Sequence, residues 1–274
     1  MLNRNLNALR RHPGAFSVVC EAVKTWRSAS YLVEQAKTGH PALICQVEGQ
    51  RAVSYHSRYD PVKEAEKQVQ AGYDGQTHAM LLGFGLGYMA EQLLSRLTQR
   101  VAGPQLFVIE PDAGVFLAAL QARDLTSFLN DSRVSLSVGL TADEVGELWS
   151  TNLDWTALER LAIVDHPPSV GRFKQYFERL VEKIRYLCNR SKGNLVTLMH
   201  AGFEFHSNYF ANLAAGFELP GVERLFDRFK GVPAVVVAAG PSLDRNMHLL
   251  KDVKGRFPIV AVDTVGSGSG EFIF

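Results

Sequence analysis

Cysteine is scarce in this chain of 274 residues: only Cys20, Cys45 and Cys188 occur, far apart and without a Cys-x-x-Cys spacing. Such a set builds no disulfide framework; it is the pattern of free thiols in a reducing cytosol and argues against a zinc site. Long hydrophobic runs are missing too. No apolar stretch approaches the ~18 residues of a membrane-spanning helix. Arg4, Arg10 and Arg11 are not followed by the apolar segment of a signal peptide. A cytoplasmic location with no membrane span is therefore expected. Charge of one sign is also lacking, with 29 basic residues against 28 acidic ones and a formal net charge of +1. A general nucleic-acid binder would carry a basic surplus, so no nucleic-acid partner is expected. The eight histidines are scattered, and His200 and His206 lack metal-ligand spacing. No metal site is expected, and no Ser-His-Asp or Cys-His arrangement is legible.

The residues that are present describe an α/β protein. Hydrophobic residues make up 46% and charged residues 21%, the balance of a chain that buries a real core. Residues 1 to about 38 read as helical, with Leu2, Leu6, Leu9, Phe16, Val19, Val23 and Trp26 at helical spacing. Residues 42–47 and 51–55 read as two short strands joined through Glu48-Gly49-Gln50, a hairpin signature. From His78 the pattern becomes strand, glycine turn and helix, repeated. The strand-like segments 79–82, 105–109, 134–138 and 160–164, mostly apolar, alternate with helices at 88–97 and from 113 to about 123. Strands apolar on both faces belong to a parallel sheet covered by helices.

Residues 170 to about 228 read as helical. Phe173, Phe177, Leu180, Val181, Ile184 and Leu187 form one stripe, and Phe203, Phe205, Tyr209, Phe210 and Phe217 an aromatic block beyond it. The α/β pattern restarts with the run 233–239, the turn Gly240-Pro241-Ser242, a helix from Asp244 to Val253 and the strand 257–262. The organisation expected is helices plus hairpin (1–75), a Rossmann-like parallel sheet (76–170), a helical connector (171–230) and the start of a second Rossmann-like domain (231–265). Residues 266–274 read as a Gly/Ser tail, a junction or truncation scar. One βαβ unit cannot bury both faces of a sheet, so the natural protein is expected to continue past Asp263.

Two sites carry candidate chemistry. At the first, Gly83, Gly85 and Gly87 follow a strand, and Glu110 stands at the tip of the next one. Such glycines let backbone approach a ligand, and the acid can accept ribose hydroxyls, as in dinucleotide and S-adenosylmethionine sites. The same glycines serve equally as a tight strand-to-helix crossing without ligand. The loop Asp165-His-Pro-Pro168 is distantly similar to the D-P-P-Y loop of amino-methyltransferases, with an inserted His and Ser169 in place of the aromatic. At the second site a buried strand ends at Gly240, Pro241 presets the backbone, and Ser242 is expected to cap a helix and to bind a phosphate over its N-terminus. Asp263 ends the following strand on the same sheet edge, where open α/β sheets bind ligands. A third cluster, Ser57-Arg58-Tyr59-Asp60-Pro61, reads as a structural turn before a helix.

The stretch through Gly240-Pro-Ser-Leu-Asp244 to Asp263 resembles the motility accessory factor family of flagellin glycosyltransferases. That core is shared with the 6-hydroxymethylpterin diphosphokinase-like (MptE-like) proteins. The resemblance extends to residues 57–61, 83–88, 108–112 and 193–197, and to Asn208 and Asn212. It implies a cytoplasmic, sialyltransferase-like enzyme that moves a nonulosonic acid from a CMP-sugar donor to Ser or Thr of flagellin. On that resemblance Gly240, Pro241 and Ser242 hold the nucleotide phosphate and Asp263 lines the pocket. The catalytic residues stay unassigned, and the nucleotide-sugar is a substrate, not a resident cofactor. Family members run well beyond the Asp263 strand, so this chain alone is expected to be inactive. The alternatives left open are a methyltransferase acting through Gly83, Gly85, Gly87 and Glu110, a pterin diphosphokinase-like enzyme, and a non-catalytic docking protein.

Overall fold

The computed structural model describes residues 1–25, 30–46, 51–97, 105–152, 161–218 and 221–262. Expectations placed on Trp26, on the 47–50 turn, on Asp263 and on the 266–274 tail lie outside them. Backbone contacts divide the chain into Met1–His200 and Ala201–Phe274.

In the first unit, β4 (His78–Leu82), β5 (Leu106–Glu110), β6 (Val134–Val138) and β7 (Leu161–Asp165) form a parallel sheet of order β6-β5-β4-β7. The α/β, Rossmann-like fold read from the sequence is the one observed. Successive strand residues point to opposite faces, so the sheet serves two cores. Ala79, Leu81, Leu106 and Val108 face a core with α3 (Pro61–Gly72), α4 (Tyr88–Arg96) and α5 (Ala113–Ala122). Met80, Leu82, Phe107 and Ile109 face another, with Val145 and Trp149 of α7 (Ala142–Asn152) and Phe177, Leu180 and Ile184 of α9 (Lys174–Glu218). Each of the Leu, Val, Ile, Met and Phe side chains among them contributes roughly 1.5–3 kcal/mol by leaving water.

The start of the chain departs from its helical reading. Helices α1 (Leu2–Leu9) and α2 (Pro13–Lys24) form, but Tyr31–Gln35 is a strand, β1, paired antiparallel with β2 (Pro41–Cys45). Tyr31 and Val33 favour the pleated state, and the β2 partner decides the matter. Strand β2 also pairs antiparallel with β3 (Val53–Ser54), in the register Ile44↔Ser54. Helix α1 is pinned by a polar residue: Asn5 Nδ2 donates to the Leu120 and Arg123 carbonyls at 2.8 and 2.7 Å, and its Oδ1 accepts the Leu125 N–H at 3.0 Å. The turn into α3 is the expected structural one. Asp60 Oδ1 accepts the N–H groups of Val62 and Lys63, and Pro61 occupies the first helical position. Arg58 makes no ion pair among the described residues; its carbonyl accepts the Lys37 N–H.

Helix α9 has 45 residues, and the division between the units falls within it. The second unit contains the parallel pair β8 (Val235–Val237) and β9 (Ile259–Ala261), with α10 (Pro241–Asn246), a single 3₁₀ turn and α11 (Leu250–Val253) between them. The helix expected over 244–253 thus begins earlier, at Pro241, and is interrupted at Met247–Leu249. Among described residues 201–262 only Val237 is buried.

Candidate functional site

The glycine crossing after β4 forms as expected, with positive φ at Gly83, Gly85 and Gly87 (94°, 57° and 86°). Only glycine adopts such angles without strain, and Gly87 then opens α4. The structure brings to this loop residues that local sequence patterns do not connect. The Leu86 N–H donates to His56 Nε2 at 2.9 Å, from the segment after β3. On the other side lie His166 and Ser169, from the end of β7 and α8 (Pro167–Arg172). A Cβ added at Gly83 would lie 2.2 Å from Ser169 Cβ, and one at Gly85 would lie 2.7 Å from His56 Cε1. The glycines are therefore needed for close packing of the chain's own side chains.

Glu110 is fully buried beneath the same loop. Its Oε2 accepts the Phe84 N–H at 2.8 Å and its Oε1 the Asp112 N–H at 3.0 Å. Burial pushes its carboxyl up to about 7, while these N–H groups pull the other way. In this arrangement the acid braces the crossing, and a ribose hydroxyl would have to compete with two amides for it.

The two buried imidazoles sit 5.4 Å apart, centre to centre. His166 Nδ1 is 2.8 Å from Ser169 Oγ, and its Nε2 is 3.1 Å from the Tyr55 carbonyl. That carbonyl requires a proton on Nε2, so Nδ1 accepts from the serine hydroxyl. A buried Ser–His pair thus exists where the sequence pattern revealed none. Its third position is taken by a backbone carbonyl and not by an acid. Burial lowers His166 to about 4 and His56 well below its ordinary value, so both are neutral. The signal that could have found the pair is the loop after β7, which must return to the same sheet edge as the glycine turn.

Beside this, Asp112 caps α5 through the Gly114 and Val115 N–H groups and ion-pairs with Arg172 at 2.8 Å. Tyr31 donates to Asp112 at 2.8 Å, and Arg172 donates to the Tyr55 hydroxyl at 3.3 Å. This polar clasp ties β1 and β3 to the carboxyl edge of the parallel sheet.

The second site has a different character. Strands β8 and β9 run parallel in the register Val235↔Ile259, and Val262 N–H donates to the Val237 carbonyl at 3.1 Å. The chain turns tightly, with Gly240 N–H on the Ala238 carbonyl at 2.8 Å, and enters α10 with Pro241 in its first turn. Ser242 does not cap the helix: Gly240 holds that position in an extended conformation (φ −103°, ψ 164°), because proline at the first helical position fixes the cap one residue before it. No side chain caps α10 among the described residues, and Pro241 and Ser242 are exposed. Proline has no N–H at position 241 and the Leu243 N–H is held by the Gly240 carbonyl at 2.9 Å, so Ser242 is the exposed residue of this turn that offers both an N–H and a hydroxyl. Asp244 lies in the same first turn.

No helix among the described residues is long and apolar enough to cross a membrane. The model of a family described as 6-hydroxymethylpterin diphosphokinase MptE-like matches residues 207–267. This stretch includes β8, the Gly240 turn and β9, and it supports the MptE-like resemblance there. An uncharacterized protein of Treponema pallidum (strain Nichols) is 26% identical over 230 residues, which cover 82% of this chain and 74% of that protein.

Proposed function

We propose that the chain carries part of a nucleotide-dependent transferase whose nucleotide phosphate rests on the Gly240-Pro241-Ser242 turn. The observation that carries this reading is the uncapped start of α10 directly after a parallel strand, within the stretch similar to the MptE-like family. Helix N-termini attract anions because their first N–H groups lack partners inside the helix. Ser242 adds a hydroxyl donor, and Asp263 follows β9 in the chain.

Within this reading, the reaction we favour transfers a nonulosonic acid from a CMP-sugar to a Ser or Thr hydroxyl of flagellin, in the cytoplasm. The acceptor oxygen attacks the anomeric carbon, the bond from that carbon to the CMP phosphate oxygen breaks, and CMP leaves with the electron pair. The acceptor proton passes to solvent. The Ser242 N–H and hydroxyl would stabilise the charge on the departing phosphate. The description of the matching family favours a second reading, pyrophosphoryl transfer to a hydroxymethylpterin. It would use the same turn with a nucleoside triphosphate and Mg²⁺, for which the sequence offers Asp244 and Asp263 as candidate carboxylates.

Isothermal titration separates the two. The transferase reading expects CMP to bind and Ser242→Ala to weaken it by roughly tenfold or more, the loss of one charge-assisted hydrogen bond. Binding of ATP with Mg²⁺ in place of CMP would move the assignment to the pterin reaction. Silence towards both nucleotides would end the phosphate assignment altogether.

A further inference from the structure

The carboxyl edge of the parallel sheet ends differently on its two faces. On the α4 side, His56, His166 and Ser169 fill the space beside the glycine turn. On the α9 side a cavity of about 570 Å³ remains, within the range of small-molecule sites. Leu82 of β4, Ile163 of β7 and Val170 of α8 line it, with Phe177 and Val181 of α9 and Asp165 at the carboxyl end of β7.

Three observations mark this cavity as a site. The first is its position. From β4 the chain builds β5 and β6 outward on one side, then returns to place β7 on the other. Ligand crevices of open α/β sheets form outside the carboxyl ends of strands at such a reversal. The second is Ile163. It is 39% exposed, although its strand neighbours Ala162 and Val164 are buried, so a mid-strand apolar side chain faces the cavity without cover.

The third is charge. Asp165 has no hydrogen bond or ion pair on its carboxylate among the described residues, whereas Lys174 reaches Glu178 at 3.8 Å. The remaining lining charges, Glu182 and Arg185, cancel, which leaves one uncompensated negative charge, on Asp165. Partial desolvation raises its carboxyl pKa although the side chain stays exposed.

We propose that this cavity binds a small molecule with an apolar, ring-sized body and a cationic amine, the body covering Ile163, Val170 and Phe177 and the amine pairing with Asp165. Neither the glycine turn nor the Gly240 turn takes part, so this site stands or falls independently of the transferase reading.

Two probes of equal bulk and opposite charge test it: tryptamine and indole-3-propionate, titrated at pH 7 into the full chain and followed by ligand-observed NMR. Tryptamine should bind, and the carboxylate should bind roughly tenfold more weakly or not at all. Asp165→Asn, a nearly isosteric change at an exposed position, should weaken tryptamine by about threefold or more and leave the melting temperature unchanged. A second variant, Ile163→Arg, fills the cavity with a like charge and should abolish tryptamine binding. Equal affinity for both probes, an unchanged affinity in Asp165→Asn, or no binding of tryptamine at about 5 mM would each overturn the proposal.

Discussion

If the glycine crossing is closed by the chain's own side chains, Gly83 and Ser169 must be energetically coupled. Alanine at 83 would have to adopt φ near 94° and place a methyl 2.2 Å from Ser169 Cβ and 3.2 Å from His166 Cβ. The backbone conformation costs about 1–2 kcal/mol, and the overlap in a packed site about 1–3 kcal/mol. Gly83→Ala should therefore lose roughly 2–5 kcal/mol. Ser169→Gly vacates the colliding atoms but strips His166 Nδ1 of its donor and puts glycine in α8, a loss of roughly 1.5–4 kcal/mol. In the double variant the new methyl enters the space the serine left, so the overlap disappears while strain and the lost hydrogen bond persist. The double should be more stable than the sum of the singles by about 1–3 kcal/mol. Urea unfolding followed by tryptophan fluorescence reads this cleanly, because Trp26, Trp149 and Trp155 all fall within the Met1–His200 unit. Additivity to within about 0.5 kcal/mol would show that the two residues do not touch and that the crossing has room for something else.

Stability should also respond to acid. His166 is held near 4 against an ordinary 6.5, so its contribution is complete above pH 6.5 and is lost as pH falls towards 4, about 3 kcal/mol in full, with His56 adding in the same direction. Glu110, raised to about 7 from 4.5, opposes this: its contribution is complete below pH 4.5 and is lost as pH rises through 7. Urea titrations between pH 4.5 and 7.5 should therefore show a decline towards acid that is steeper in Glu110→Gln than in the parent protein; an equal or shallower slope would reverse the assignment. Arg172→Met removes the partner of a mostly buried Asp112, and a loss of about 2 kcal/mol is expected by chemical unfolding, reduced from a fully buried pair because Asp112 still caps α5. Asn5→Ala leaves buried backbone groups without partners and should lose roughly 2–4 kcal/mol in the same assay. S-adenosylmethionine at millimolar concentration should leave the melting temperature unmoved, since the Phe84 and Leu86 amides it would need are engaged by Glu110 and His56.

The parallel sheet was legible because its evidence is local: runs such as 79–82 and 106–109 are apolar at every position, and a glycine turn follows the first of them. The Asp60-Pro61 entry to α3 was legible for the same reason, a cap and a first-turn proline side by side. Tyr31–Gln35 was misread because its state is set by β2, beyond the Lys37-Thr38-Gly39 turn and outside the reach of helical periodicity. Asn5 hides inside a helical stripe of leucines, and its value appears only once residues 120–125 arrive beside it. His56 and His166 meet across 110 positions of sequence. At the Gly240 turn the residue types were legible, but which of them caps the helix was decided by Pro241.

The clasp around Asp112 has a practical corollary for anyone wishing to move the Rossmann-like sheet into another protein. Tyr31 reaches it from the small antiparallel sheet and His56 from the segment after that sheet, and Asn5 fastens the corner after α5 from the first helix. A cassette cut at residue 76 would leave behind the Leu86 acceptor, the Asp112 hydroxyl donor and the amide that satisfies the Leu120 carbonyl. The portable unit therefore begins at the first residues of the chain, and a graft that omits them should be insoluble.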